Sequence, residues 1–486
     1  MDLGTAAPLR TCCGPPLRNP DAQSVHNDEL VRAWLILEIV RPHARDQRRR
    51  REPLTGLLRK PWGAPLALAI PFLCGVIALK GLTVEIRTFH GEDAGFYHLP
   101  TILQFADQLP GVDLERYPAA QTPLFHLLFA LWGKLVGFEL WRLRLLDVAV
   151  SYLTLLVLFR WLRRGFGFDQ VPALALTLLF GLSPHFLGVS FTLLTDNLSM
   201  LFGVLALERF HRAEREDSLG QFALGCVAMG AAVLTRQSFL WLVAVACWAL
   251  LRASPSLPRL AEGAGVAAVS LAPMAALAAV WGGLVPESAD PASCGLCPTR
   301  AGVPETGALR ALGFTVALFG LYSAAIYAPV LVRRMRRLQA PPLRVVLPPV
   351  ILGVALTALS DLVYRPPAYG RGAHLGDEGY LWRFADQFPS VASYSLLFWV
   401  LVPLGALALW LLARRAGLFS LPVVYVAAFL ASTLLVRLVY QKYVDPFALL
   451  GLILLMRPGD LRFRSDYAGL GALALGFLVY AGKFYV

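Results

Sequence analysis

Residues 62–80 read WGAPLALAIPFLCGVIALK, with no charge between Trp62 and Lys80. About 20 apolar residues in a helix cross the hydrocarbon of a bilayer, so this stretch predicts a membrane span. Twelve more stretches of the same kind follow, at about 143–161, 171–189, 197–209, 221–235, 238–252, 261–284, 308–331, 345–363, 392–413, 418–436, 445–457 and 466–482. Some are short or run into a neighbour, which predicts 11–14 spans. The apolar segment from Leu124 to Val136 contains His126 and Lys134 and reads as a helix lying at the interface.

The composition agrees with this beginning. Of 486 residues 57% are hydrophobic and 16% charged, and mean hydropathy is +0.59. Soluble domains have roughly 45–50% apolar and about 25% charged residues. A soluble enzyme, a disulfide-stapled secreted domain and a disordered adaptor are therefore excluded, and an all-α, polytopic membrane protein is expected. The formal charge of +12 would suggest nucleic acid in a soluble protein. In a membrane protein it reports topology, because Arg and Lys collect in cytoplasmic loops. With the N-terminus in the cytosol and Leu124–Val136 left at the interface, 29 of the 44 Lys and Arg fall on the cytosolic side. Counting that helix as a span would turn every later loop over and put the arginine clusters outside.

Residues 1–61 form a basic tail, expected to be disordered and cytosolic, with Arg48, Arg49, Arg50 and Arg51 in succession. Residues 62–486 are then one transmembrane domain. Its extracytoplasmic loops hold nearly all the varied chemistry: 81–142 after the first span, 284–307, and 364–391, dense in Arg, His, Asp, Tyr and Trp. Cys294 and Cys297 form a lone C-x-x-C in the second of these, a loop disulfide or two free thiols rather than a zinc site. No metal or other cofactor is indicated, although metal dependence stays open. Phosphate-loop, H-E-x-x-H and serine-nucleophile motifs are missing, which argues against an ATPase, a zinc protease and a serine hydrolase.

The first loop reads Gly91-Glu92-Asp93-Ala94-Gly95-Phe96-Tyr97-His98-Leu99-Pro100. A carboxylate pair just after a span sits where a base meets a reactive group carried on a lipid. Further along come Leu143-Arg144-Leu145-Leu146, Leu194-Thr195-Asp196-Asn197-Leu198-Ser199-Met200 and Arg236-Gln237-Ser238-Phe239-Leu240-Trp241. They are followed by Gly376-Asp377-Glu378-Gly379-Tyr380-Leu381-Trp382-Arg383 and Lys442-Tyr443-Val444-Asp445-Pro446. In this order the blocks resemble the GT-C membrane glycosyltransferases, and among them the dolichyl-phosphate-glucose α-1,2-glucosyltransferases. The resemblance spans about residues 62–457. The family's acidic pair is usually Asp-Glu, here Glu92-Asp93, and Lys442 stands where arginine is usual.

The resemblance implies a GT-C-like fold and an inverting transfer of a sugar, a hexose such as glucose, from a polyprenyl- or dolichyl-phosphate donor. The acceptor is a hydroxyl of a glycan or glycolipid on the extracytoplasmic or lumenal side. Asp93, and next Glu92, is the implied base. Arg236, Arg371, Arg383, Arg437, Lys442 and His374 are the candidate phosphate partners, since a leaving phosphate needs cationic donors. Tyr97, His98, Asp196, Gln237, Asp377, Tyr380, Trp382 and Tyr443 are candidate substrate contacts. The partners are the lipid-linked donor, the acceptor and the bilayer, with no nucleic acid. The Arg-over-Lys bias and Leu/Ala richness point to a bacterial plasma membrane rather than the endoplasmic reticulum. A transporter or flippase of lipid-linked substrates is the alternative. It would carry ionisable residues deep in several spans and broken helices in paired halves.

Overall fold

The structure is a computed structural model. It describes residues 60, 62–84, 91, 93–253, 256–286, 309–336, 342–364, 379–435, 439–461 and 465–485. The basic tail and the C-x-x-C pair lie outside the described residues.

The described chain is almost wholly helical. In order it forms α1 (Gly63–Ala78), α2 (Leu99–Gln108), α3 (Leu124–Val136), α4 (Leu140–Arg164), α5 (Gln170–Gly181) and α6 (Pro184–Leu187). Then come α7 (Asp196–Glu216), α8 (Leu219–Thr235), α9 (Leu242–Ala253), α10 (Leu257–Trp281), α11 (Leu309–Arg336) and α12 (Leu343–Leu359). Last are α13 (Tyr380–Ala385), α14 (Leu396–Ala416), α15 (Leu421–Thr433), α16 (Asp445–Leu455) and α17 (Asp466–Tyr485). One small hairpin, β1 (Ser390–Val391) with β2 (Tyr394–Ser395), precedes α14.

Each apolar stretch named above is helical over most of its described residues. Among the described residues four helices are long and apolar enough to cross a membrane: α4, α10, α11 over Leu309–Ala328, and α14. The expected spans near 62–80, 221–235, 238–252, 345–363 and 418–436 correspond to shorter apolar helices. Residues 171–189, expected as one continuous span, are instead two segments bent by 66°. The physical reason lies at the joint, where Pro184 has no N–H to continue the ladder and Ser183 turns its hydroxyl to Asp445, 2.8 Å away.

Without water around the helices, van der Waals packing and small residues bring them together. α7 lies along α8, α4 and α9, and α11 along α14 and α17. At Gly320 and Gly405 the α11 and α14 backbones touch. A Cβ on Gly320 would strike the Leu401 carbonyl, and one on Gly405 the Val316 carbonyl.

The ion pairs separate the two ends of this bundle. At one end Arg209 and Arg212 pair with Glu208, Arg252 with Glu214 and Arg259 with Asp217, while Arg215 donates to the Gly165 carbonyl. These residues lie in the C-terminal parts of α7 and α9, at the start of α10, or directly after α4 and α7. The other end holds the starts of α4 and α7, the end of α8 and the turn before α16. There the first loop is pinned: the buried Arg144 of α4 donates through Nη1 to the carbonyls of Leu82, at 2.9 Å, and Val84, at 2.6 Å.

Candidate active site

Four charged side chains from widely separated elements meet at that second end. Asp93 stands at the start of a π-helical turn (Ala94–His98) that runs directly into α2. Asp196 is the first residue of α7, where a carboxylate complements the exposed amide end of the helix. Arg236 ends α8 in an extended conformation that carries its side chain away from the helix. Lys442 lies in a 3₁₀ turn (Gln441–Tyr443) before α16.

Lys442 Nζ donates to Asp93 Oδ2 at 3.0 Å, and Arg236 Nη1 lies 2.5 Å from Asp196 Oδ1. Tyr443 joins the two pairs: the Arg236 guanidinium is 4.6 Å and the Lys442 ammonium 5.2 Å from its ring centre. The cations are the enclosed partners. Lys442 has 3% and Arg236 9% of the side chain exposed, against 22% for Asp93 and 18% for Asp196. Burial works against the Lys442 charge, but Tyr443 and the Asp93 and Asp196 carboxylates outweigh it and hold its pKa above the usual lysine range. In both pairs the acidic side chain is the one toward solvent.

His98 lies within reach of both cations. Burial first, then the Lys442 and Arg236 charges, push its pKa down to about 3. Its Nδ1 is 2.9 Å from Nε2 of the buried His126 on α3. Gln237 donates through Nε2 to the Ala120 carbonyl at 2.8 Å, tying the first loop to the end of α8. Tyr97 is half-buried beside the same turn, with its carbonyl accepting from Thr101 Oγ1.

The turn that holds Lys442 is itself supported from behind. Asp445 is fully buried and accepts from Ser183 Oγ at 2.8 Å and from Tyr380 OH at 3.0 Å, and Tyr380 OH also pairs with Tyr322 OH. His185 of α6 stacks on the Tyr380 ring. Gln441 Oε1 accepts from the Leu381 amide, docking α13 on the turn. Trp382, expected at the substrate, is instead sealed. Its ring stacks on Phe314 and meets Phe398 edge-on, while its N–H donates to the Val439 carbonyl. An indole enclosed on its faces has no surface left for a sugar. Tyr380 likewise commits its hydroxyl to Asp445.

Of the residues expected from sequence, the structure brings Asp93, His98, Asp196, Arg236, Lys442 and Tyr443 together. Arg383 is half-buried on α13. Glu92, Arg371, His374, Asp377 and Arg437 lie outside the described residues. His126, Ser183, His185 and Tyr322 were missed as members of this region. Only His126 carried a signal, as a polar residue in an apolar run, and nothing in the sequence names its partner. Among the described residues no group of three or more His, Cys, Asp and Glu side chains is placed to hold a metal ion.

Comparison with known proteins adds one match to this geometry. A family model described as dolichyl-phosphate-mannose-protein mannosyltransferase matches residues 120–281, which include Asp196 and Arg236. The match covers about a third of the chain, and over these residues the chain is similar to that family. The matching model is not the glucosyltransferase family named from the sequence blocks. No curated protein matches the chain. Two solved structures of ArnT from Cupriavidus metallidurans are similar to it. The form bound to undecaprenyl phosphate is 17% identical, covering 87% of this chain and 80% of that one, at a TM-score of 0.39. The apo form is 16% identical, covering 85% and 78%, also at 0.39. A likeness of that size transfers neither substrate nor mechanism.

Proposed function

We propose that the chain is an inverting glycosyltransferase of the membrane, taking a sugar from a polyprenyl- or dolichyl-phosphate and passing it to an acceptor hydroxyl. The sugar is a hexose such as glucose, and the reaction runs on the extracytoplasmic face of a bacterial plasma membrane. The observation that carries this reading is the pairing of a half-exposed carboxylate, Asp93, with a buried cation, Lys442, beside a second buried cation, Arg236. A base and the partners of a leaving phosphate stand within one cluster.

Asp93 takes the proton of the acceptor O–H as that oxygen attacks the anomeric carbon. The bond from that carbon to the phosphate oxygen breaks on the opposite side, so configuration inverts once and the polyprenyl phosphate leaves with the bonding pair. Charge grows on the phosphate as it leaves, and donors already oriented toward it cost no reorganisation at that moment. Arg236 uses one Nη1 on Asp196 and carries further N–H donors, and an ammonium has three. Lys442 thus holds Asp93 oriented before the donor arrives, then turns to the phosphate. Arg371, Arg383, Arg437 and His374 are further phosphate partners in this reading, and Glu92 is the second choice for the base.

The test uses the purified chain in bilayers with a polyprenyl-phosphate-linked sugar and a hydroxyl acceptor. Loss of a general base costs about 10²–10⁴ in rate, so Asp93→Asn is expected to lower transfer at least 100-fold with donor binding retained. Glu92→Gln is expected to cost much less. Unchanged transfer in both variants removes the assignment of the base, and transport of a lipid-linked sugar without transfer removes the reading as a whole.

A further inference from the structure

His98 and His126 form a pair that the transfer chemistry above does not use. Their rings lie nearly parallel, 17° apart with centroids at 5.2 Å, and one hydrogen bond joins His98 Nδ1 to His126 Nε2. His126 is enclosed by aromatic rings, those of Phe105, Tyr117 and Phe125. Of the four ring nitrogens, His126 Nδ1 is the one that is buried with no partner. His98 keeps 2% of its surface accessible and stands beside Lys442 and Arg236.

Both rings are neutral in this setting, since burial and the neighbouring charges oppose protonation of His98, and burial and His98 oppose that of His126. A neutral imidazole has one N–H, so the shared bond can be made in two ways. If His98 Nδ1 donated, the His126 proton would sit on Nδ1, as an N–H buried among aromatic rings. An orphaned N–H is rarer and more costly than a bare acceptor. The other arrangement leaves only a lone pair on His126 Nδ1. His126 Nε2–H then donates to His98 Nδ1, and the His98 proton must lie on Nε2, the nitrogen that the pair does not use. The Lys442 and Arg236 charges act on this ring, and an anion bound among the three groups would satisfy all of them.

We propose that His98 is a neutral hydrogen-bond donor to a phosphate oxygen of the lipid-linked substrate, with His126 as the positioning residue that fixes its tautomer. This rests on the glycosyltransferase reading and names one more contact of that site. A neutral donor adds a directed bond to the phosphate without a third positive charge beside Lys442 and Arg236. Sequence alone could not reach this, because the tautomer follows from a contact across 28 residues.

The experiment measures binding of a polyprenyl phosphate to the full chain in nanodiscs, with the corresponding polyprenol as the control lacking the phosphate. A glutamine amide nitrogen falls near Nε2 of histidine and an asparagine amide near Nδ1. His98→Gln is therefore expected to bind within about threefold of the parent and His98→Asn about tenfold or more weakly, with polyprenol binding unchanged in both. His126→Gln, which retains a donor at Nε2, is expected to bind within about threefold, and His126→Phe more weakly than His126→Gln. Nitrogen NMR of the histidine-labelled parent gives a reading that needs no variant: His98 protonated on Nε2, with that signal moving when the polyprenyl phosphate is added.

Equal binding of polyprenyl phosphate by folded His98→Asn and the parent overturns the proposal and leaves the glycosyltransferase reading intact. A His98 proton found on Nδ1 does the same. Parallel losses for polyprenyl phosphate and polyprenol also overturn it, because they would report packing rather than a phosphate contact. A parent that binds no polyprenyl phosphate and transfers no sugar removes both readings together.

Discussion

At the scale of single residues, the site depends on which partner of each ion pair is enclosed. Arg236 is the more buried member of its pair and lies over the Tyr443 ring, so its planar fork has little room to be replaced. Arg236→Lys keeps the charge but loses the planar fork and its place over the Tyr443 ring. It is expected to weaken donor affinity about tenfold or more, read from initial rates at varied donor, with folding preserved. A variant with unchanged donor dependence would show that Arg236 serves only to hold Asp196. The sequence pointed to Arg236, Asp196, Asp93 and Lys442 because charge at the end of an apolar run is conspicuous. Their pairing was not legible, since Asp93 and Lys442 meet across 349 residues of chain. Trp382 misled for the converse reason: an aromatic beside Arg383 looks the same in sequence whether it faces a ligand or the core.

At the scale of elements, hydropathy located the helices well, because a bilayer-like pattern demands long apolar runs with all backbone groups paired inside the helix. It failed at Ser183-Pro184, where apolar character continues but the hydrogen-bond ladder does not. It was equally silent about how helices meet. The close approach of α11 and α14 rests on Gly320 and Gly405, where either added Cβ would collide with backbone of the other helix. Gly405→Leu is expected to force the two apart and lower the melting temperature by several degrees, as overpacking costs about 1–3 kcal/mol or more. Gly471→Ala, where an added Cβ meets nothing within 4 Å, is expected to leave stability the same or slightly higher. Similar melting of Gly405→Leu and the parent would refute the tight crossing.

At the scale of the whole molecule, the neutral histidine pair links stability to pH. The unfolded chain takes up a proton on His98 near pH 6.5, whereas the folded site holds its pKa down to about 3. Between those values the unfolded state binds more protons, so stability is complete above about pH 6.5 and falls as pH drops through the window. The slope is at most about 1.4 kcal/mol per pH unit for His98, and His126 adds in the same direction. From pH 7 to pH 5 the melting temperature is therefore expected to fall more in the parent than in His98→Gln, and parallel profiles for the two would contradict the buried neutral His98. The two ends of the bundle were legible from charge alone, as one collected arginines and the other varied chemistry. What lies between them was not, because packing leaves no periodic mark in so apolar a sequence.

The Arg144 grip on the Leu82 and Val84 carbonyls bears on how the acceptor is delivered. Upstream, the chain is fastened to α4 at Leu82 and Val84. Downstream, His98 fastens it to α3. The Asp93 carboxylate is itself gripped by Lys442, and the turn that follows it runs straight into α2, so the carboxylate is held in place. In the glycosyltransferase reading proposed above, the acceptor is brought to a stationary base, and selectivity then rests on which hydroxyl can be carried to the mouth of the bundle.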